Sequence, residues 1–299
     1  MEIFTELNNK NDLAVILGFF DGLHRGHKTV ISKAICYVQK NNLKSALITF
    51  NDSPAKIIRN NDIKYILSKS ERIKVIENLG VDYLYLLDFN EEFSKITAKD
   101  YLKMIVNYLN PKAIITGYNH YFGYNKCGNT DYLNLMQNTY NYEYIEVPSV
   151  KIKDNIVSSS KIRQLLSAGE IELANEMLGY KFYVKNKVIR GKQIGRTIGF
   201  NTANLLFPKD VIEIPNGVYA VEVQIDEKFY TGIANYGIKP TVENTKEKIL
   251  EVHILNFNED IYDKEIKVSF LKKIRNEIKF DSLDDLKTQI KKDIKCLEL

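Results

Sequence analysis

The stretch LAVILGFFDGLHRGH, residues 13–27, decides the fold of the first half of the chain. Its first five residues, Leu13–Leu17, form an apolar run of the length of a buried strand. A segment with helical periodicity, His27–Lys40, follows after a short turn that contains glycine. A strand that leads through such a turn into a helix is the first part of a strand-helix-strand unit, so this stretch predicts a parallel sheet.

The same alternation continues as far as residue 147. Strands are predicted over Ser45–Phe50, Tyr83–Leu87, Ala113–Thr116 and Tyr144–Val147, and helices over Ser70–Leu79, Ala98–Tyr108 and Thr130–Gln137. This pattern is typical of an α/β Rossmann-like domain with helices on both faces of its sheet. Ligands of such sheets bind at the carboxyl ends of the strands, so the segments after Leu17, Phe50 and Thr116 are the candidate binding loops.

The pattern changes after two short helices predicted within Ser159–Leu178. Beyond Phe182, short runs rich in Val, Ile, Tyr and Phe are separated by Gly, Asn, Asp and Pro, which predicts a small antiparallel β-barrel. The runs are Tyr183–Ile189, Gly217–Ile225, Lys228–Ala234, Leu250–Phe257 and Glu265–Lys272. A helix from Ser282 to about Cys296 is expected to close the chain. We therefore predict two domains, residues 1–182 and 183–299.

Composition favours a folded protein with two cores. The chain has 299 residues, 44% hydrophobic and 27% charged, which is too long for one average domain and ordinary for a globular protein. The net charge of +4 is spread along the chain, so no basic arm indicates nucleic-acid binding, and no apolar run is long enough to cross a membrane. The three cysteines lack metal-ligand spacing. We expect a cytoplasmic protein that is a monomer or a weak homo-oligomer.

The segment from Gly18 to His27 has the features of a phosphate site. It follows a strand and opens a helix, so its backbone N–H groups and the helix dipole favour a bound anion. The imidazoles of His24 and His27 can donate hydrogen bonds to a phosphoryl oxygen as negative charge develops, and Gly26 lets a nucleotide approach the backbone. The alternative is a turn with two solvated histidines.

Three motifs of the first half resemble known enzymes. HRGH, residues 24–27, resembles the signature of nucleotidyltransferases that move AMP or CMP from a triphosphate to a phosphate. GYNHYFG, residues 117–123, resembles the flavin-contacting loop of bacterial FAD synthetases. VSSSKIR, residues 157–163, resembles their serine-rich helix start, although such serines taken alone are more often a simple helix cap. By this resemblance, His24 and His27 are catalytic, and the flavin contacts are Asn119 and Phe122. The implied ATP contacts are Gly18, Phe19, Phe20, Asp21, Gly26, Ser158, Ser159, Ser160 and Arg163.

The densest motif of the second half is GKQIGRTIGFNTAN, residues 191–204. Its glycines flank Lys192 and Arg196, and such a loop could close over phosphates. Thr202 and Asn204 place two oxygen ligands on one face of an extended segment, and hard oxygen ligands suit Mg²⁺. Taken alone, such a motif is more often a glycine-rich surface hairpin with solvated charges.

This motif resembles the segment Gly-Arg-x-x-Gly-Phe-Pro-Thr-Ala-Asn of riboflavin kinases. Four further stretches match that family in order, and they are Gly217–Val221, Ala234–Thr241, Glu251–Leu255 and Ile274–Phe280. The resemblance implies that Thr202 and Asn204 hold Mg²⁺ and that Glu251 takes the proton of the riboflavin 5′-hydroxyl. Read without it, Glu251 begins an alternating strand and is either a proton acceptor or an exposed charge. The remaining implied contacts are Gly191, Lys192, Gly195, Arg196 and Thr197 for ATP, and Gly199, Phe200 and Arg275 for the flavin.

The resemblance covers Leu13 to Asp293, so the chain is similar to bifunctional riboflavin kinases/FAD synthetases, and riboflavin, FMN and ATP are the implied substrates. The chain departs from that family at three places. Asn51–Pro54 keeps one proline of a proline-rich stretch, Lys126 stands where an arginine is usual, and Asn201 replaces a proline that would fix the backbone before Thr202. The alternatives are a transferase for another phosphate acceptor, a riboflavin kinase with a decayed transferase half, and a flavin-binding regulatory protein.

Overall fold

A computed structural model of the chain describes residues 1–59, 63–190, 200–240 and 246–297. The chain divides into two compact units, Met1–Ser159 and Ser160–Leu299. The first unit contains a parallel sheet with helices and the second a closed antiparallel barrel, so the predicted fold class is confirmed. The expected division at residue 182 stays a prediction about where independently folding domains would separate.

The first unit is built on a six-stranded sheet with the strand order β1-β4-β3-β2-β5-β6. The strands are β1 (Glu2–Phe4), β2 (Leu13–Leu17), β3 (Lys44–Phe50), β4 (Tyr83–Leu87), β5 (Pro111–Gly117) and β6 (Glu143–Val147). All their pairings are parallel, and β2 lies between β3 and β5. The chain therefore proceeds to one side of β2 first and to the other side later, which makes the boundary between β2 and β5 the switch point of the sheet.

Short polar side chains set the ends of the helices in this unit. The helices are α1 (Arg25–Asn41), α2 (Pro54–Arg59), α3 (Lys69–Asn78), α4 (Glu91–Ser94), α5 (Ala98–Leu109) and α6 (Thr130–Tyr140). The side chains of Ser68 and Thr97 accept N–H groups as N-caps of α3 and α5. Helices α1, α5 and α6 are followed by the cap residues Asn42, Asn110 and Asn141, which have a left-handed backbone conformation. Asparagine tolerates this conformation at the end of a helix. A two-stranded hairpin, β7 (Lys151–Ile152) and β8 (Asn155–Ile156), completes the unit.

The second unit is a closed barrel with the strand order β10-β13-β12-β11-β14-β9. Its strands are β9 (Tyr183–Ile189), β10 (Ala203–Leu206), β11 (Gly217–Ile225), β12 (Lys228–Pro240), β13 (Lys246–Ile254) and β14 (Glu265–Arg275). The helices α7 (Ser159–Ala168) and α8 (Ile171–Leu178) precede the barrel, and α9 (Leu283–Lys295) follows it. Closure pairs the two outer strands with each other and so removes exposed strand edges.

Alternation along the strands separates the barrel interior from its outer face. Leu205 of β10 lies opposite Leu250 of β13, and both are fully buried in the interior. Asn204 lies opposite Glu251 in the next row, so these two side chains project together from the outer face.

Tyr236 of β12 places a polar group inside the barrel. Its side chain is 0% exposed, and its ring packs against Phe207 with 4.8 Å between centroids. Burial raises the pKa of its hydroxyl, which therefore stays neutral. Among the described residues, this hydroxyl has no hydrogen-bond partner. A buried hydroxyl without a partner lowers the stability of the fold.

We therefore predict that Tyr236→Phe leaves the free energy of unfolding of the second unit unchanged or raises it by up to about 1 kcal/mol. Urea unfolding measures this change. The matched control is Tyr219→Phe, because the Tyr219 hydroxyl is also buried but donates to the Pro215 carbonyl. That variant should lose about 1 kcal/mol. A comparable loss in Tyr236→Phe would show that a bound water satisfies the Tyr236 hydroxyl.

Candidate active sites

The turn between β2 and α1 places two imidazole rings in face-to-face contact. His24 is the N-cap of α1, and its Nδ1 accepts the His27 N–H at 3.3 Å. The two ring centroids are 3.6 Å apart and the ring planes differ by 15°. Because Nδ1 of His24 accepts a hydrogen bond, the proton of the neutral ring is on Nε2. His24 thus carries a hydrogen-bond donor at Nε2.

His27 is held in its neutral form. Burial, and secondarily the neighbouring His24, lowers the pKa of His27 well below 6.5. Its Nδ1 is buried and has no partner among the described residues, while Phe20 packs edge-on against the ring at 5.2 Å. A neutral His27 is not repelled by His24, and the ring N–H groups of both residues can donate to a phosphoryl oxygen that gains negative charge.

The backbone of this turn leaves little space around the rings. Phe20 has a left-handed backbone with φ of 59°. A Cβ on Gly18 would lie 2.8 Å from the Phe20 ring, and a Cβ on Gly26 would lie 3.2 Å from two ring atoms of His24. Glycine at position 26 therefore gives the His24 ring its space.

Two of the residues predicted to contact ATP hold the turn in place. Asp21 is 3% exposed, and its carboxylate accepts the Ile66 N–H at 2.9 Å. The Ser159 hydroxyl donates to the Asp21 carbonyl, also at 2.9 Å, so the start of the serine-rich motif reaches the histidine turn. The ATP contacts predicted for Phe19, Ser158, Ser160 and Arg163 stay predictions. Ser160 and Arg163 lie on α7 within the second unit.

The loop after β5 lies on the other side of the switch point. It begins with a turn in which the His120 N–H donates to the Gly117 carbonyl at 3.1 Å, and Asn119 is exposed in that turn. A Cβ on Gly117 would lie 3.7 Å from Asn119 Oδ1 and 3.8 Å from Val30 of α1. The loop predicted to contact the flavin and the helix that follows the histidine turn are therefore neighbours.

A chain of aromatic rings connects the loops after β3, β4 and β5. Phe50 contacts Phe89 at 5.2 Å and Phe93 at 5.3 Å between centroids. Phe93 contacts Tyr101 at 5.9 Å, and Tyr101 contacts Phe122 at 5.5 Å. Phe122 is 8% exposed and forms the buried end of this aromatic chain, whereas Phe50, Phe89 and Phe93 are half-buried. These three rings were not predicted as site residues, and the signal that could have indicated them is their position at or shortly after strand ends.

His120 is another imidazole that is held neutral. Its ring stacks on Phe122 with 5.7 Å between centroids, and its Nε2 is buried without a partner among the described residues. Burial lowers the pKa of His120 to about 4.

In the second unit a polar row crosses three strands of the barrel. Asn204 of β10 pairs with Glu251 of β13, and Glu251 pairs on its other side with Asn235 of β12. Residues that lie opposite each other project from the same face. Thr202 lies two residues before Asn204, just before β10 begins. The structure thus brings the predicted base and one predicted metal ligand, Asn204, to one face of the barrel. Asn235 was missed, because a sequence does not show strand register.

His253 restrains the segment that precedes Thr202. Its Nδ1 lies 2.8 Å from the Asn201 carbonyl, so this nitrogen carries a proton and donates it. The ring of Phe200 packs edge-on against His253 at 5.1 Å. Proline at position 201 would fix φ, whereas asparagine does not. The hydrogen bond from His253 restrains the same backbone by another means.

A cavity of about 250 Å³ opens beside Thr202. Val188 and Ala203 contribute to its apolar floor, and Asn258 and Asp260 to its polar rim. Apolar walls with a few polar groups are typical of pockets for small molecules.

Arg275, predicted to contact the flavin, is engaged in a bidentate ion pair. Its Nε and a terminal nitrogen donate to the Asp293 carboxylate of α9 at 3.0 and 2.8 Å, and Asp293 is 2% exposed. This pair fastens α9 to the end of β14. The flavin contacts of Arg275 and Phe200 stay predictions. The contacts predicted for Gly191, Lys192, Gly195, Arg196, Thr197 and Gly199 lie outside the described residues.

Family models match both halves of the chain. The model for FAD synthetase matches residues 6–161, and the model for riboflavin kinase matches residues 178–298. Three relatives are named bifunctional riboflavin kinase/FMN adenylyltransferase. They come from Buchnera aphidicola subsp. Schizaphis graminum (39% identity, covering 95% of this chain and 93% of the relative), Bacillus subtilis (35%, 93% and 89%) and Escherichia coli K12 (34%, 93% and 89%).

A solved structure from Streptococcus pneumoniae has a similar fold. It is named a macrolide-efflux protein, is 33% identical, and superposes with a TM-score of 0.88 over 98% of this chain and 97% of its own. Within the part of the chain that the structure describes, we find no helix with the length and apolar character of a membrane span. The two family models and the three relatives agree on a riboflavin kinase half and an FAD synthetase half.

The buried imidazole of His120 predicts a dependence of stability on pH. The unfolded chain binds a proton at this residue near pH 6.5, whereas the folded protein binds it only near pH 4. Stability from this group is complete above about pH 6.5 and falls by about 1.4 kcal/mol per pH unit from there to about pH 4. We predict that His120→Phe, which keeps the ring stacking, flattens the urea-unfolding profile between pH 6.5 and 4. An unchanged slope would contradict the prediction.

Proposed function

The chain belongs to the family of bifunctional riboflavin kinases/FMN adenylyltransferases, and from this we propose how its two units divide the work. The protein phosphorylates riboflavin with ATP to give FMN, and it transfers AMP from a second ATP to FMN, which yields FAD and pyrophosphate. We assign adenylyl transfer to the first unit and phosphorylation to the second. The stacked pair of His24 and His27 at the switch point carries the first assignment. We place both reactions in the cytoplasm.

In the first unit we assign the triphosphate of ATP to the amino-terminal end of α1. The FMN phosphate attacks the α-phosphorus, the bond to the pyrophosphate breaks, and the pyrophosphate leaves. Negative charge rises on the α-phosphoryl oxygens in the transition state, and the N–H groups of the two imidazoles stabilise it. Both substrates react directly, so the protein contributes by positioning them and by stabilising charge.

The aromatic chain is the surface that we propose for the flavin ring. Phe50, Phe89 and Phe93 are half-buried and lie at or shortly after the ends of β3 and β4, so part of each ring is accessible at the edge of the sheet where ligands bind. Flat aromatic ligands pack on such side chains in stacked or edge-on geometry. Asn119 on the neighbouring loop supplies amide hydrogen bonds to the polar edge of the flavin ring.

In the second unit Glu251 is proposed to accept the proton of the riboflavin 5′-hydroxyl while that oxygen attacks the γ-phosphorus of ATP. Asn204, directly opposite, lies on the same face and is half of the proposed metal site. The oxygen atoms of Thr202 and Asn204 fit Mg²⁺, which binds few protein ligands and takes the others from phosphates and water. Bound there, Mg²⁺ would neutralise charge on the phosphates.

The cavity beside Thr202 is the proposed site for the nucleoside of the kinase ATP. Its floor of inward-facing barrel residues offers an apolar surface for a base, and Asn258 on its rim offers amide hydrogen bonds. Thr202 lines this cavity and precedes Asn204 by two residues. A nucleotide in the cavity would therefore place its phosphates near the polar row that contains Glu251.

If each unit catalyses one reaction, a substitution in one site should abolish one activity and leave the other. The purified protein is incubated with riboflavin, ATP and Mg²⁺, and FMN and FAD are followed by chromatography. Glu251→Ala should reduce FMN formation by at least about a hundredfold, the usual contribution of a general base. This variant should still convert added FMN to FAD. The double variant His24→Ala/His27→Ala should accumulate FMN and form little FAD.

Each variant is the control for the other, because each should keep one activity and so prove that the protein is folded. Loss of both activities in either variant would contradict the assignment of one reaction to each unit. If the wild-type protein converts neither flavin, the assigned reactions themselves are wrong.

The hydrogen bond between His253 and the Asn201 carbonyl gives a further prediction. His253→Phe keeps a ring against Phe200 but removes the donor. The Thr202 segment then loses a restraint of about 1 kcal/mol, which corresponds to a weakening of metal binding by about fivefold. We expect the Mg²⁺ concentration for half-maximal FMN formation to rise by that factor. The Mg²⁺ dependence of FAD formation from FMN is the control and should not change.

A further inference from the structure

Arg72 of α3 is a buried cation whose hydrogen bonds go to backbone carbonyls. The residue is 3% exposed. One terminal nitrogen donates to the Phe19 carbonyl at 3.0 Å, and the other donates to the Phe50 carbonyl at 2.6 Å and lies 3.4 Å from the Asn51 carbonyl. Burial lowers the pKa of Arg72, and the charge of Asp21 opposes this effect. A guanidinium remains charged in such a site and binds the carbonyls strongly.

The first of these carbonyls belongs to the turn that carries the histidines. The Phe19 carbonyl also accepts the Thr49 hydroxyl at 3.0 Å, and the Arg72 guanidinium lies 4.5 Å from the centre of the Phe19 ring. Phe19 directly precedes Phe20, whose left-handed backbone begins the turn that leads to His24. Arg72 therefore restrains the backbone at the start of the proposed phosphate site.

The other carbonyls belong to the loop that carries the first ring of the aromatic chain. Phe50 is the last residue of β3, and its ring contacts Phe89 and Phe93. The next residue, Asn51, donates its side-chain amide to Asp88 after β4, and its N–H donates to the Leu87 carbonyl at 2.9 Å. A single guanidinium thus connects the histidine turn to the aromatic loop.

We propose that Arg72 is a positioning residue for adenylyl transfer. It fixes the spacing between the histidine turn and the aromatic loop, and thereby the distance between the α-phosphorus of ATP and the phosphate of FMN. This inference rests on the function proposed for the first unit. Reactions between two bound substrates slow sharply when their alignment changes by a fraction of an ångström to an ångström. Lysine keeps the charge but lacks the planar fork that reaches two carbonyl groups at once.

The test compares Arg72→Lys and Arg72→Ala with the wild-type protein in the conversion of FMN to FAD. The single-turnover rate with both substrates saturating should fall by at least about tenfold in each variant. The KM values for ATP and FMN should change by less than about threefold, since the individual contacts to each substrate remain. Phosphorylation of riboflavin by the same molecules should be unchanged. The matched control is Lys74→Ala on the same helix, where an exposed lysine pairs with Glu71 at 3.1 Å.

A second measurement separates positioning from stability alone. Guanidinium chloride, added to Arg72→Ala far below denaturing concentrations, should restore part of the rate, and sodium chloride at the same ionic strength should not. A wild-type rate in Arg72→Lys would overturn the proposal, as would a rise in KM with the rate retained. Equal loss of rate and thermal stability without rescue would also overturn it. If Arg72→Ala does not fold, the rate and KM values of Arg72→Lys decide. A wild-type protein that forms no FAD would refute the proposed function itself.

Discussion

The reversal of strand order between β2 and β5 is the constraint on which the first unit depends. Because β3 and β5 flank β2, the segments that leave β2 and β5 diverge at the carboxyl edge of the sheet and leave a crevice there. The histidine turn occupies one side of this crevice and the loop with Asn119 the other. Arg72 then links the histidine turn to the loop after β3. The two substrates of adenylyl transfer can thus be held by separate loops whose spacing the protein controls.

In the second unit the corresponding constraint is the register between β10 and β13. Leu205 and Leu250 are paired in the interior, and this pairing places Asn204 opposite Glu251 outside. A slip by one residue would turn Glu251 toward the interior, where a carboxylate is costly, and would expose Leu250. The apolar alternation that stabilises the barrel therefore also determines which polar groups meet on its surface.

Local features were readable from the sequence, and contacts between distant residues were not. The apolar run Leu13–Leu17, the turn to His27 and the alternation of the barrel strands involve neighbours in the chain, so propensity and periodicity predict them. The hydrogen bond from Arg72 to the Phe19 carbonyl joins residues that are 53 positions apart in the chain. The pairing of Asn235 with Glu251 depends on the register between β12 and β13. The same holds for Asp293, which engages Arg275 from the last helix. No local pattern encodes such contacts, so these residues carried no signal as site residues.

The two proposed sites differ in a way that follows from the nucleophiles assigned to them. The phosphate of FMN loses its second proton with a pKa of about 6, so at neutral pH it attacks without help from a base. The first site therefore needs hydrogen-bond donors for the growing phosphoryl charge, and the lowered pKa of His27 keeps that imidazole neutral beside His24. The riboflavin hydroxyl must instead lose a proton as it attacks, and a carboxylate such as Glu251 can accept it. Stacked imidazoles in one unit and a carboxylate between two asparagines in the other thus correspond to the acidity of the group that each site must activate.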